Sequence, residues 1–243
     1  MVNKITYKPF GDKAILITWK AEICTSVSKA ILSFQQKIDA FENSHIVDTI
    51  AGYTSLTIVY QTNIIDYLNE VEVLKKIEIS KDTVLKKSSF TWQIPVCYDV
   101  EFGIDLQEIS NTTNLEISEI IKLHSQHAYR VYFIGFLPGF LYLGGLNKQL
   151  FFNRKSNPRL KVAKGTVAIG GEQTGVYPSE SAGGWNIIGK TPVNFFNINE
   201  DNPCFAEAGD FIKFVPIDKN QFLQIEKEVK DASYKISKTL HNA

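Results

Sequence analysis

Arg154 and Arg159, either side of Asn157-Pro158, offer the chain's most direct chemistry. A guanidinium fork binds carboxylate or phosphate through paired hydrogen bonds, and proline stiffens the loop that presents it. The alternative is a surface loop with ordinary solvated charges. Gln173, Thr174, Tyr177 and Trp185 follow, supplying amide, hydroxyl, phenol and indole groups on or beside glycine turns. Small-ligand sites combine apolar walls with a few such groups, although a barrel corner packed by Tyr177 and Trp185 has the same signature. His124 lies three residues before His127 on an apolar helical face. A metal held by this pair would lack nearby cysteine or carboxylate ligands, so no metal site is assigned. A packed histidine donating one ring hydrogen bond is preferred, with a substrate-binding role for His124 kept open.

Most common catalytic signatures are absent. There is no GxGxxG, HExxH or Gly-x-Ser-x-Gly, and the GGEQTG at 170–175 is too loosely spaced to cradle phosphate in those ways. Catalytic residues are therefore unassigned, and any ATP site has to be unconventional or completed by another chain. Lys161, Lys164 and Lys190 read as surface charges.

These candidates sit in a stretch, 131–192, that holds most of the 15 glycines along with dense aromatics. Glycine serves tight turns and close backbone approach. Gly135, Pro138, Gly139, Gly170, Gly175, Pro178, Gly183, Gly184 and Gly189 read as turn positions around short strands and a concave, aromatic-lined site.

The elements that must position this site are mostly strands. Residues 90–98, 129–134, 165–169, 185–188, 193–198 and 211–215 carry strand signals, with helices at 105–109 and 118–127 and one closing helix over 219–240. Many short strands with glycine turns argue for a β-barrel or sandwich over 90–243. Ahead of it, residues 1–85 read as a smaller α/β unit. Strands at 4–7, 14–19, 46–50 and 55–60 alternate with helices near 25–38 and 64–77, suggesting a split βαβ, ferredoxin-like sandwich. The polar run 80–89 reads as a linker.

Composition narrows the function classes. Lys+Arg and Asp+Glu balance at 26 each, which argues against nucleic acid and anionic membrane surfaces as partners. The longest uncharged run, 131–147, is short for a membrane span and contains Pro138 and four glycines. The first twenty residues lack a signal-peptide core. Three scattered cysteines without CxxC spacing suit reduced thiols. A cytoplasmic location is the expectation.

At 124–146 (HSQHAYRVYFIGFLPGFLYLGGL), Pro158-Arg159, 164–178 (KGTVAIGGEQTGVYP), 181–192 (SAGGWNIIGKTP) and 208–217 (AGDFIKFVPI), the sequence resembles the 5-oxoprolinase B-subunit family. That family is also described as allophanate hydrolase subunit 1, or KipI-type. Val162-Ala163-Lys164-Gly165 stands where the family tends to have Val-Pro-Ala-Gly, and Leu141 replaces a frequent proline.

The resemblance implies an α+β chain: a ferredoxin-like domain, then a cyclophilin-like β-barrel. It implies partnership with the C and A subunits of 5-oxoprolinase in a hetero-oligomer. The reaction it implies is the opening of 5-oxoproline to L-glutamate with ATP, supplied as Mg-ATP to the assembled complex. Arg154 and Arg159 would suit the substrate carboxylate or the transferred phosphoryl group. Two other roles follow from the family: an inhibitor docking on a sporulation histidine kinase, and one component of an allophanate or urea-type amide hydrolase.

Overall fold

The computed structural model describes residues 5–19, 23–41, 45–80 and 88–241. The chain divides into two compact units, Met1–Lys87 and Ser88–Ala243. Most of the expected linker, residues 81–87, lies outside the described residues, as does Lys4 of the first expected strand.

The first unit runs β1 (Thr6–Pro9), β2 (Ala14–Thr18), α1 (Thr25–Ala40), β3 (Ile46–Ala51), β4 (Ser55–Tyr60) and α2 (Tyr67–Ile79). Its sheet has the order β1-β2-β4-β3 with every neighbour antiparallel. β2, α1 and β3 form a split βαβ with β4 between the two strands, as the sequence pattern suggested. The strand outside β2 is the chain's first. Helical spacing puts Val27, Ile31, Phe34 and Ile38 of α1 beside Val71, Leu74 and Ile77 of α2, in one core with Ile15, Ile17, Leu56 and Ile58.

The second unit is built on a barrel-like sheet. In chain order its elements are β5 (Phe90–Cys97), α3 (Leu106–Thr113), α4 (Ile117–Ser125), β6 (Ala128–Ile134) and β7 (Leu141–Gly144). They continue with a 3-10 turn (Lys148–Leu150), β8 (Arg159–Val162), β9 (Thr166–Gly170), β10 (Gln173–Val176), β11 (Ser181–Gly183) and β12 (Asn186–Lys190). β13 (Phe211–Ile217), α5 (Lys219–Lys230) and β14 (Lys238–Leu240) close the chain. The main path is β10-β9-β12-β5-β13-β6-β7, and β8 and β11 pair separately. β7 and β10 come together at the ends of the path. There a side chain at Gly175 would lie 3.5 Å from the Leu141 carbonyl oxygen.

β5 occupies the middle of the sheet despite Pro95, a residue that cannot donate to a ladder. The Gln93 N–H donates to the Ser237 carbonyl on the β14 side. Two residues on, the Pro95 nitrogen faces the same side, beyond the last β14 pair at Trp92 and before β12 joins at Cys97. No donor is needed in that gap.

Two expectations change. Residues 193–198 form no strand, although Val193 and Phe195 are buried in the core. The closing helix stops at Lys230, where Ala232 turns at φ +53 and the chain returns to add β14 to β5. Tyr234 and Ile236, read as helical, pack instead against the barrel core along this return. Among the described residues no helix is long and apolar enough to cross a membrane, and all three cysteines are thiols.

Gly165 carries one of the tightest turns, between β8 and β9. It has φ +80, its N–H donates to the Tyr177 carbonyl, and its carbonyl accepts from the Thr191 N–H, both at 2.8 Å. A Cβ there would lie 2.3 Å from the Thr191 carbonyl oxygen. Gly165→Ala is expected to cost about 2–3 kcal/mol through strain and overpacking. A lowered denaturant midpoint checks this; an unchanged midpoint would remove the account.

Candidate functional site

Alternation along the strands sorts the glycine-rich stretch onto two faces. Leu141, Leu143, Val167, Ile169, Val176 and Ile188 enter the barrel core. Phe140, Ala168, Tyr177, Trp185 and Ile187 form a second cluster, with Tyr142 packed against it. Its rings meet edge to face: Phe140 lies 5.8 Å from Trp185 and 5.9 Å from Tyr177, and Tyr142 lies 5.0 Å from Phe140. Phe133 stacks on Tyr142 at 4.2 Å. Such contacts add about 0.5–1.5 kcal/mol per pair beyond burial. Gly170 admits the indole, since a Cβ there would stand 2.3 Å from Trp185.

Of the other expected turn positions, some lie in loops and others inside strands. Gly135, Pro138 and Gly139 lie between β6 and β7, Gly175 is in β10, Pro178 follows it, and Gly189 is in β12. Gly183 ends β11, and Gly184 separates it from Trp185. Phe136, in the β6–β7 loop, is a non-glycine residue at φ +66 and is exposed. Backbone strain of this kind concentrates at functional loops.

A polar cluster borders the aromatics. Arg159 donates from Nη2 to Asp105 Oδ1 at 2.7 Å and from Nη1 to the Trp185 carbonyl at 3.4 Å. Lys155 Nζ lies 3.2 Å from the same Asp105 oxygen and 2.7 Å from Glu108 Oε2. Asp105 Oδ2 accepts the Ile187 N–H at 2.6 Å, and the Asp105 N–H donates to the Ile187 carbonyl. Burial pulls the Lys155 pKa down, but its bonds to Glu108 and Asp105 outweigh this and raise it, so the amine stays charged. The Arg154 guanidinium sits 5.7 Å above the Trp185 ring, within cation–π range.

Burial raises the Tyr177 pKa, although the Trp185 backbone N–H and the charges of Arg154 and Arg159 pull the other way. The phenol therefore keeps its proton at neutral pH and serves as a hydrogen-bonding group rather than a base. Gln173 opens β10 and is half-buried. The arrangement suits a small ligand with an anionic group and a flat apolar body.

Of the residues expected at a site, Arg154, Arg159, Tyr177 and Trp185 are brought together. His124 and Thr174 lie elsewhere, in the barrel interior. His124 is fully buried, 2.7 Å from the Tyr98 hydroxyl and 2.8 Å from the Thr174 hydroxyl, and stacks on Phe214 at 4.6 Å. Among the described residues no group of three or more His, Cys, Asp or Glu could hold a metal.

Sequence reasoning missed Asp105 and Lys155. Asp105 had one signal, its place at the start of the expected helix over 105–109, but its charged partners Lys155 and Arg159 are about fifty residues away and share no local pattern with it. Phe140 and Tyr142 fell within the aromatic-rich stretch without being singled out.

Residues 5–206 match the family described as carboxyltransferase domain, subdomain C and D. A protein of Bacillus subtilis (strain 168), named as the B subunit of 5-oxoprolinase, is 34% identical over 240 residues, covering 94% of this chain and 99% of that one. Its namesake from Haemophilus influenzae (strain ATCC 51907 / DSM 11121 / KW20 / Rd) is 36% identical, covering 82% and 95%. Among solved structures, Kluyveromyces lactis urea carboxylase aligns at a TM-score of 0.82 and 18% identity, over 98% of this chain and 24% of that one. At that identity the likeness concerns the fold alone. The chain belongs to the 5-oxoprolinase B-subunit family, built on the carboxyltransferase subdomain C and D fold.

Proposed function

We propose that this chain is the B subunit of an ATP-dependent 5-oxoprolinase, working with homologues of the C and A subunits to open 5-oxoproline to L-glutamate. The observation that carries this reading is the similarity to proteins of that name across nearly their whole length. The site geometry agrees with it. A five-membered lactam offers a flat ring and one carboxylate, which match an aromatic face bordered by a guanidinium.

A lactam is a poor electrophile, so its opening needs activation at the carbonyl oxygen. This chain's part in the reading is to bind and orient: Arg154 faces the carboxylate, while Phe140, Tyr142 and Trp185 wall off water. Mg-ATP does not fit the described residues by themselves: GWNIIGKT at 184–191 has P-loop spacing but runs along β12 instead of wrapping into a helix, and no group of three or more His, Cys, Asp or Glu converges on a metal position. The reading therefore places the nucleotide largely with the partner chains, and a chain inactive alone follows from it.

Co-expression with the C-subunit homologue, followed by addition of the A-subunit homologue, tests the proposal. ATP-dependent formation of glutamate from 5-oxoproline is the expected result. No stable complex and no turnover would overturn it. Micromolar binding of a histidine-kinase dimerisation domain alongside that failure would put the inhibitor reading in its place.

A further inference from the structure

The two arginines of the site do different work. Asp105 is only 5% exposed at its side chain, and one of its oxygens takes both Arg159 and Lys155. Its other oxygen is tied to the Ile187 N–H. Glu108 completes the set through Lys155. Two cations thus meet two carboxylates, and the cluster is neutral. Arg154 stands outside it: exposed, over the Trp185 ring, and without an ion pair among the described residues. Its neighbour Lys155 is held at the side chain by Asp105 and Glu108 and at the backbone by a 2.7 Å bond from its N–H to the Gly184 carbonyl.

We infer that Arg154 alone receives the substrate carboxylate, and that Asp105 is a positioning residue that commits Arg159 and Lys155 to the scaffold. This rests on the function proposed above and assigns its anion-binding group. A guanidinium lying over an indole keeps its edge, where the N–H donors are, open to a bidentate carboxylate. A carboxylate arriving at Arg159 would instead meet a guanidinium whose charge Asp105 already neutralises and whose Nη1 and Nη2 are engaged by the Trp185 carbonyl and Asp105. One unneutralised charge faces the aromatics, so the ligand class is a small monocarboxylate whose remaining body is uncharged.

The test is equilibrium binding of 5-oxoproline and of its neutral carboxamide, 5-oxoprolinamide, to the chain co-purified with its C-subunit homologue. Arg154→Ala is expected to weaken 5-oxoproline binding roughly 10- to 100-fold, the worth of one charge-assisted contact, and to leave the carboxamide nearly unaffected. In turnover, KM rises while kcat changes little, because the contact is made equally in ground and transition states. Arg154→Lys restores part of the affinity, and Arg159→Lys perturbs it far less than Arg154→Lys does. Asp105→Asn, which frees Arg159 and Lys155 from their carboxylate, strengthens 5-oxoproline relative to the carboxamide, a selectivity that lost stability alone would not produce. Equal binding of 5-oxoproline by Arg154→Ala and wild type, or equal weakening of both ligands, overturns the inference and leaves the proposed function standing. A wild-type complex that binds neither ligand overturns both.

Discussion

Asp105→Ala is expected to destabilise the second unit by about 3 kcal/mol, the lower end of the range for breaking a buried ion pair from one side. The residue is nearly inaccessible; its side chain bonds Arg159 at 2.7 Å, Lys155 at 3.2 Å and the Ile187 N–H at 2.6 Å, and its backbone bonds the Ile187 carbonyl and the Ile109 N–H, both at 3.0 Å. Alanine keeps only the backbone bonds. The Ile187 N–H is left buried without its acceptor, which by itself costs about 1–3 kcal/mol. Arg159 and Lys155 keep 26% and 20% of their side chains exposed and regain some hydration, which holds the total near the lower end. Asp105→Asn separates the parts, since its amide oxygen still accepts from Ile187 while the charge is gone. Chemical denaturation at neutral pH checks both variants. The expected order is wild type, then Asn, then Ala; coincident midpoints for all three would show that the pair carries no stability.

The same residue marks the limit of what the sequence discloses. Helical spacing places the faces of α1 and α2 because Val27, Ile31, Phe34 and Ile38 recur every three or four positions. β6, β9 and β13 are legible because each alternates or runs apolar for five residues or more. β7, β8 and β10 are four-residue strands interrupted or bounded by glycine, proline or charge, too short for a period to declare itself. Val193 and Phe195 are apolar because the core needs them, not because a ladder does. Burial and strand pairing give one signature in a sequence and two different structures here.

The candidate site follows the same division. Tyr177 and Trp185 are visible through their residue types and their glycines. The division of labour between Arg154 and Arg159 is not, because it depends on a carboxylate 54 residues from Arg159 along the chain. Ion pairing across that separation leaves no local periodicity. His124 and Thr174 show the converse: both have site-like chemistry, yet the buried face of α4 carries His124 and alternation along β10 turns Thr174 into the barrel, where each bonds the other.

That buried histidine gives the other large expected effect, a loss of stability in acid. Burial pushes the His124 pKa from 6.5 to about 3. The Thr174 hydroxyl donates its proton to the Ala168 carbonyl at 3.1 Å, so it accepts from His124 Nε2–H. Nδ1 then accepts from the Tyr98 hydroxyl at 2.7 Å, and the ring is satisfied only when neutral. The unfolded chain takes up a proton below pH 6.5, while the folded chain resists until about pH 3. Stability from this group is therefore complete above pH 6.5 and is lost as pH falls toward 3, at about 1.4 kcal/mol per pH unit. Carboxylates add their own slope in the lower part of that window, so the measurement is a difference. Unfolding free energy is followed from pH 7.5 to 4 for wild type and for His124→Gln, whose side chain does not titrate. Glutamine cannot reproduce both ring bonds, and the variant starts less stable at neutral pH because a buried hydroxyl loses its partner. The two curves are expected to converge as the pH falls, since only wild type loses the histidine contribution. Parallel curves across the whole range would mean that His124 exchanges its proton as freely in the barrel as in the unfolded chain.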